Sequence, residues 1–283
     1  MSPAPRQNWL ASLRALLIDL DGVVYRGEAP LRGATELMPA LASLNIDYAF
    51  VTNNATLTPE QYEAKLGRMG IAADPSRVVT SAIATAAHLT ALSPNGGSVC
   101  VVGEEGLVQA IRDAGFTVTD DAPAFVVAGL DRALTYQRLV AATRAILNGA
   151  AFIATNTDRA LPVEDGLWPG AGAIVAAIAT ATGAQPTVMG KPEPALVHVA
   201  LQRLGVQPHE AAIVGDQVQT DIRAGRAAGM ATVLVAADLA RDVLDITPDL
   251  VVRDLGDLLE RLRRGRRSGA ATVSPTAPPT ARD

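Results

Sequence analysis

The chain has 283 residues, 49 % hydrophobic and 19 % charged, with a formal net charge of −5. These values exclude a disordered or fibrous protein and fit one large globular domain or two smaller ones. An acidic chain is a poor nucleic-acid binder, and no apolar stretch is long enough to span a bilayer. We therefore expect neither a nucleic-acid partner nor a membrane partner.

The cysteine content and the first residues predict where the protein resides. Cys100 is the one cysteine, so an internal disulfide framework is excluded and a reducing compartment is favoured. Residues 1–13 contain no apolar core of the kind that a secretory signal needs. We expect a cytoplasmic protein, with Cys100 buried inside a strand.

Strand and helix patterns alternate along the chain, which predicts βαβ units and a mostly parallel sheet. The predicted strands are residues 16–19, 48–52, 99–102, 125–129, 152–155, 212–215, 232–235 and 250–252. The predicted helices are residues 34–44, 59–67, 82–89, 105–114, 135–147, 173–180, 194–204 and 220–228. From residue 265 the chain is rich in Arg, Gly, Ala, Pro and Thr without periodicity, so 265–283 is predicted to be a disordered tail.

Four aspartates follow two of the predicted strands. Asp19 and Asp21 come at the end of the first strand, and Asp216 and Asp221 follow the strand at 212–215. If these strands are neighbours, the carboxylates meet at one edge of the sheet, where unit charges about 4 Å apart repel by roughly 4 kcal/mol per pair. A divalent cation with oxygen ligands relieves this repulsion, and Mg²⁺ is the usual one. Two acids directly after a buried strand serve no evident structural need, so we interpret them as functional.

Two further segments carry polar groups suited to an anion. Thr52, Asn53 and Asn54 follow the second strand and offer donors to an oxyanion, but the same residues also make a plain Asx turn. The chain has only two lysines, Lys65 and Lys191. Lys65 is accounted for by an amphipathic helix, whereas Lys191 lies in a Gly-Lys-Pro turn and suggests a site that needs a compact positive charge.

Four motifs in order resemble those of the haloacid dehalogenase superfamily, and in detail its class IIA phosphatases. They are DLDGVV (19–24), VTNN (51–54), GKP (190–192) and GDQVQTDI (215–222). The segment from ATNTD (154–158) to PGAG (169–172) is similar to the cap of that group. The resemblance covers roughly residues 14–260, and it implies a Rossmann-like α/β core with an inserted α/β cap.

The resemblance also implies a division of the chain and a reaction. The core comprises residues 14–83 and 185–260, and the cap comprises residues 84–184. The reaction is Mg²⁺-dependent hydrolysis of small phosphomonoesters, with phosphoglycolate, glycerol phosphate and nucleotide monophosphates as candidate substrates. Relatives often pair through the cap, which makes a homodimer an expectation here.

The roles of the acids follow from the same resemblance. Asp19 is the nucleophile that forms an aspartyl-phosphate, and Asp21 is the general acid and base. Mg²⁺ is held by Asp19, the Asp21 backbone carbonyl and Asp216, and Asp221 orients these groups. A general acid at Asp21 argues against dehalogenase chemistry, because a halide leaves without a proton.

The phosphate contacts and the cap loop complete the expectation. Thr52, Asn53 and the Asn54 backbone hold phosphate oxygens, and Lys191 neutralises charge on the nucleophile and the phosphate.

The cap loop between residues 155 and 168 is expected to select the substrate. Leu161 stands where some relatives have a polar, substrate-contacting residue, which argues against pyridoxal phosphate. For Trp168 we favour packing in the cap core over stacking on a substrate ring.

Two other functions compete with a phosphatase. A phospho-accepting receiver domain also combines aspartates, Thr and Lys on a parallel sheet, but the chain length and the cap-sized insert argue against it. A catalytically silent phosphate-binding protein is the other alternative, and it is disfavoured because every catalytic position of the family is occupied.

Overall fold

The computed structural model of the protein describes residues 9–163, 166–236 and 246–271. Within these ranges no helix combines the length and the apolar character needed to cross a bilayer. The predicted tail beyond residue 271 lies outside the described residues.

Short parallel strands make up most of the sheet structure. In chain order the strands are β1 (Ala15–Asp19), β2 (Tyr25–Arg26), β3 (Ala29–Pro30), β4 (Asp47–Thr52), β5 (Val78–Thr80), β6 (Ser98–Val102), β7 (Thr117–Val118), β8 (Phe125–Ala128), β9 (Ala151–Ala154), β10 (Ala160–Val163), β11 (Gly166–Pro169), β12 (Thr187–Val188), β13 (Ala211–Gly215), β14 (Ala231–Val235) and β15 (Leu250–Val252).

Helices connect most of these strands. In chain order they are α1 (Trp9–Ser12), α2 (Ala34–Ser43), α3 (Pro59–Arg68), α4 (Ser81–Leu92), α5 (Glu105–Asp113), α6 (Tyr136–Leu147), α7 (Ala171–Thr182), α8 (Ala195–Leu204), α9 (Arg223–Ala227) and α10 (Leu255–Ala271). A π-helical turn, Val218–Ile222, leads directly into α9. The predicted helix over 220–228 is therefore two segments, and α1 and α10 were not predicted.

The first sheet has six parallel strands in the order β15-β14-β13-β1-β4-β5. Strand β1 is central, and Ile18 pairs with Val214 on one side and with Phe50 on the other. The strands before Asp19 and Asp216 are neighbours, which is the condition under which the sequence brings the four aspartates together. Parallel pairing brings the residues after both strands to the same carboxyl edge, where ligands bind in sheets of this kind.

The second sheet is parallel and lies in the order β12-β9-β8-β6-β7. The α/β core with an inserted α/β unit is therefore as predicted. The predicted limits of that unit, residues 84 and 184, fall inside α4 and shortly before β12. The strands of the second sheet end at Val188, because β12 pairs with β9.

The two sheets share one hydrophobic cluster. Leu17 and Val51 of the first sheet belong to the same buried cluster as Val99 and Val127 of the second. A shared core fixes the two sheets relative to each other, so side chains at the seam between them are held by both.

Local sequence signals explain several element ends. Thr58 caps α3 and forms the predicted reciprocal capping box with Gln61, and Pro59 opens the helix. Gly205 ends α8 in the left-handed conformation. Cys100 is buried in β6 as predicted, and burial raises the pKa of its thiol to about 12. The strands that prediction missed, such as β2 and β12, have only two residues, too few to show a periodicity.

The prediction of disorder from residue 265 is wrong for its first part. Helix α10 continues to Ala271, and its Gly265 packs against Leu10 of α1. The Arg266 guanidinium donates to the Ala11 and Leu13 carbonyls at 3.0 and 2.6 Å. These contacts join residues far apart in the chain, so a sequence window around residue 265 does not contain them.

Replacing Arg266 with Ala is expected to lower the free energy of unfolding by about 2 kcal/mol, because two charge-assisted hydrogen bonds are lost. Urea denaturation measures the change, provided that the dependence of the unfolding free energy on urea concentration is the same for both proteins. Arg267→Ala is the matched control, since Arg267 is exposed on the same helix. An equal effect of the two substitutions would contradict the assigned contact.

Candidate active site

The turn after β1 is built to present two carboxylates. The Leu20 carbonyl accepts hydrogen bonds from the backbone N–H groups of Val23, Val24 and Tyr25, which closes the turn. Gly22 has a φ of 84°, and a Cβ there would lie 2.2 Å from Asp216 Oδ2. Glycine is required at this position both for the backbone conformation and for the approach of Asp216.

Lys191 connects two of the aspartates. Its Nζ donates to Asp19 Oδ1 at 2.5 Å and to Asp221 Oδ1 at 2.6 Å. Lys191 is 3 % exposed and Asp19 is 7 % exposed, so both charges are buried and each is neutralised by the other rather than by water. Burial would lower the pKa of Lys191, but the two aspartates outweigh it and the pKa is raised, so the ammonium stays charged.

The carboxylates of Asp19, Asp216 and Asp221 form a cluster, with one oxygen of each within 4.8 Å of the others. Asp216 Oδ1 is buried and has no hydrogen-bond partner among the described residues. Burial and the neighbouring Asp221 raise the pKa of Asp216 to about 6. A carboxylate that has a buried oxygen without a partner and that approaches two other carboxylates fits a divalent cation with oxygen ligands.

Asp221 is held by the backbone of its own loop. It lies within the π-helical turn and accepts a hydrogen bond from the Gln217 backbone N–H at 3.1 Å. A Cβ on Gly215 would lie 2.1 Å from Asp221 Cγ, so the strand end must be glycine for this carboxylate to enter. Asp221 thus links Lys191 to the loop that carries Asp216.

Asp21 lies beside this cluster and is more exposed than Asp19 and Asp221, which are buried. Burial raises its pKa, and the positive charge of Lys65 and the hydrogen bond from the Tyr25 hydroxyl oppose the rise. The three-carboxylate cluster does not include its side chain. This is consistent with the expectation that Asp21 offers its backbone carbonyl to a metal and keeps its carboxyl group for the substrate.

For the polar turn after β4, the sequence left open an Asx turn and a set of donors to an oxyanion, and the structure has features of both. The Asn54 Oδ1 accepts from the backbone N–H and the hydroxyl of Thr56, which is an Asx turn. Thr52 Oγ1 accepts from the Asn54 N–H at 3.1 Å, which leaves the Thr52 hydroxyl proton available to a ligand.

Asn53 connects the core to Lys191. Its Oδ1 accepts from the Lys191 N–H at 2.7 Å, and its Nδ2 donates to the Lys191 carbonyl at 2.9 Å and to Asp158 Oδ2 at 3.1 Å. Both amide hydrogens are used, so a phosphate-binding role for the Asn53 side chain, as predicted, does not fit these contacts. The side chain instead holds the backbone of Lys191 in place.

A second Thr-Asn turn, after β9, faces the first. Asn156 Nδ2 donates to the Asn53 carbonyl at 2.7 Å, and the Asn156 Oδ1 accepts from the Asp158 N–H at 3.1 Å. Sequence reasoning placed Asn156 and Asp158 in the loop 155–168 but gave neither residue a role of its own. The signal was present, because a Thr-Asn pair ends one strand in each sheet.

The acids and Lys191 lie at the floor of a cavity of about 690 Å³ between the two sheets. Leu161 and Leu167, which both lie in the predicted substrate loop 155–168, line this cavity, and so does Leu130, which was not predicted. Two arginines also line the cavity: Arg159, which lies in the predicted loop but was not singled out, and Arg26, which sequence reasoning missed.

The prediction that Trp168 packs in the cap core is wrong. Trp168 is 46 % exposed in the hairpin β10–β11, where it pairs with Leu161. This hairpin is a separate two-stranded sheet outside the five-stranded second sheet.

Comparison with known proteins decides the family. The sequence profile of the haloacid dehalogenase-like hydrolases matches residues 16–117, and a HAD-hydrolase-like profile matches residues 188–258. An acid sugar phosphatase of Staphylococcus aureus is 41 % identical over 256 residues, which is 89 % of this chain and 98 % of that protein. The chain belongs to the haloacid dehalogenase-like hydrolases.

Solved structures agree with this assignment. A double mutant of the thermostable NPPase from Geobacillus stearothermophilus has a TM-score of 0.81 and 40 % identity, over 87 % of this chain and 98 % of that one. A 4-nitrophenylphosphatase from Thermotoga maritima has a TM-score of 0.84 and 33 % identity, over 89 % and 98 %. The protein is therefore a phosphoric monoester hydrolase of this family, and neither a receiver domain nor a silent binding protein.

Replacing Asn53 with Ala is expected to lower the free energy of unfolding by about 2 kcal/mol, because the Lys191 backbone loses its partners. Thermal and urea denaturation measure the loss. Asn148→Ala is the matched control, since Asn148 is exposed at the end of α6. An Asn53→Ala protein as stable as the Asn148→Ala protein would contradict this role.

Proposed function

We propose that the protein hydrolyses small phosphomonoesters through an aspartyl-phosphate on Asp19, with Mg²⁺ as cofactor. The observation that carries the proposal is the contact of Asp19 with Lys191 at the floor of the cavity, beside the partnerless oxygen of Asp216. An attacking carboxylate, a fixed positive charge and a carboxylate oxygen suited to a divalent cation are the parts that phosphoryl transfer needs.

In the first step a carboxylate oxygen of Asp19 forms a bond to phosphorus as the bond from phosphorus to the alcohol oxygen breaks. Asp21 gives its proton to that departing oxygen, which avoids release of an alkoxide. In the second step Asp21 takes a proton from water, and the resulting hydroxide displaces Asp19 from phosphorus. Phosphate leaves, and both carboxyl groups return to their starting forms.

The charge on the phosphoryl group is balanced by residues from three loops. Lys191 and the Thr52 hydroxyl are the side-chain groups proposed to contact phosphate oxygens, together with the backbone of Asn53. Mg²⁺ held by Asp19, Asp216 and the Asp21 carbonyl supplies further neutralisation of these oxygens. Asp221 holds Lys191 at 2.6 Å and so keeps the ammonium directed toward Asp19.

The substrate is proposed to be a small polyol, sugar or hydroxy-acid phosphate. The cavity wall on the cap side combines the apolar Leu161 and Leu167 with Arg159, and Arg26 lies on the core side. Hydroxyl or carboxylate groups beyond the phosphate suit two guanidinium groups. The name of the staphylococcal relative, an acid sugar phosphatase, supports the same class.

The location and assembly are proposals of the same kind. The buried free Cys100 supports a reducing, cytoplasmic setting. The exposed Tyr136 and Leu147 at the two ends of α6 support a homodimer that forms through the cap.

Hydrolysis of p-nitrophenyl phosphate tests the reaction. We expect turnover with Mg²⁺, loss of activity in EDTA, and loss of at least about 100-fold in Asp19→Asn, because the nucleophile is removed. Glu63→Gln, an exposed change on α3, is the control. Full activity of Asp19→Asn would refute the proposed nucleophile. In a panel of phosphate esters, an exclusive preference for aromatic ones would refute the proposed substrate class.

The cation site can be tested without activity. Replacing Asp216 with Asn removes one of three crowded carboxylates, so the melting temperature in EDTA is expected to rise by about 2 to 4 °C. Mg²⁺ should stabilise the unaltered protein by mass action and leave Asp216→Asn unaffected. Differential scanning fluorimetry measures both effects. Equal stabilisation of the two proteins by Mg²⁺ would place the cation elsewhere.

A further inference from the structure

Tyr25 is attached to the turn that carries Asp21. It is 1 % exposed, and its hydroxyl donates to Asp21 Oδ2 at 3.3 Å. The Tyr25 carbonyl accepts from the Gly22 N–H at 2.9 Å, and its own N–H donates to the Leu20 carbonyl at 3.2 Å. The main chain and the side chain of one residue thus both hold the short segment that contains Asp21.

Lys65 contacts the face of the Tyr25 ring. Its Nζ lies 4.1 Å from the centre of the ring, a cation–π contact, and its side chain is 17 % exposed. The ammonium is also 3.9 Å from Glu28 Oε1, in the turn between β2 and β3. The sequence accounted for Lys65 as a residue of an amphipathic helix only. The structure gives it a contact with Tyr25 as well. Both lysines of the chain lie at the aspartates of the first motif.

The hydrogen bond from Tyr25 makes the two oxygens of Asp21 unequal. A tyrosine hydroxyl is protonated at neutral pH and acts here as a donor. When Asp21 is protonated, a proton on Oδ1 keeps the Tyr25 O–H···Oδ2 hydrogen bond, whereas a proton on Oδ2 would require the tyrosine hydroxyl to turn and accept. A carboxyl group in one orientation gives its proton along one direction, which is what transfer to a positioned leaving oxygen requires.

We propose that Tyr25, with Lys65 against its ring, is a positioning residue that keeps Oδ1 of Asp21 as the oxygen that protonates the departing alcohol. The inference rests on the proposed phosphatase mechanism. The proton passes from Oδ1 to the ester oxygen as phosphorus bonds to Asp19, and the alcohol leaves neutral.

The test is the dependence of kcat/KM on the leaving group in Tyr25→Phe, which keeps the ring and removes the hydroxyl. A p-nitrophenolate leaves with little need of a proton, whereas a p-methoxyphenolate is more basic and needs one. We expect kcat/KM to fall about tenfold for p-methoxyphenyl phosphate and no more than about twofold for p-nitrophenyl phosphate. Phenyl phosphate should lie between them.

Three further variants separate positioning from packing. Lys65→Met removes the cation and keeps the aliphatic stem, so it should show the same leaving-group dependence to a smaller degree. Lys65→Arg keeps a cation over the ring, so its ratio of kcat/KM for p-nitrophenyl phosphate to kcat/KM for p-methoxyphenyl phosphate should equal that of the unaltered protein. Tyr48→Phe is the matched control, because Tyr48 lies near the amino end of β4, away from Asp21.

The outcomes distinguish this inference from the function on which it rests. An equal loss on all three esters in Tyr25→Phe, or no loss on any, would overturn the positioning role. The Lys65→Met ratio decides the question if Tyr25→Phe does not fold. Failure of the unaltered protein to hydrolyse any of the esters would instead refute the proposed phosphatase chemistry, and this inference with it.

Discussion

The buried ammonium of Lys191, shared between Asp19 and Asp221, is the interaction on which the site depends. Three charges are removed from water there, and each is tolerated only because its partners lie at 2.5 and 2.6 Å. Loss of any one partner leaves an uncompensated charge in the interior. The three residues come from a strand end, the turn before α8 and the loop after β13, so their contact requires the complete sheet.

The backbone around Lys191 is held as firmly as its side chain. The Asn53 side chain accepts from the Lys191 N–H through Oδ1 and donates through Nδ2 to the Lys191 carbonyl and to Asp158. The Asn156 side chain donates to the backbone carbonyl of Asn53. These bonds cross the seam between the two sheets. The same polar contacts that hold the Lys191 backbone therefore also join the loops of the two sheets.

The four aspartates of the site lie in two different environments. Asp19, Asp216 and Asp221 share a cluster in which a cation or Lys191 must balance the charge. Asp21 lies outside that cluster, beside the Tyr25 hydroxyl. Two kinds of chemistry, covalent attack and proton transfer, can then be assigned to carboxyl groups two residues apart in one turn.

The alternating apolar strands and the acids that end two of them were enough to predict the sheet, the edge at which the acids meet and the family. These are properties of short windows: a buried strand, a turn glycine, a Gly-Lys-Pro segment. Helix α10, the role of Asn53 and the exposure of Trp168 were decided by tertiary structure. Arg266 bonds carbonyls near the other end of the chain, and Asn53 meets Asp158 and Lys191 from remote segments. Such pairings depend on how the sheets pack, because side-chain partners across a seam leave no periodic signal in the chain.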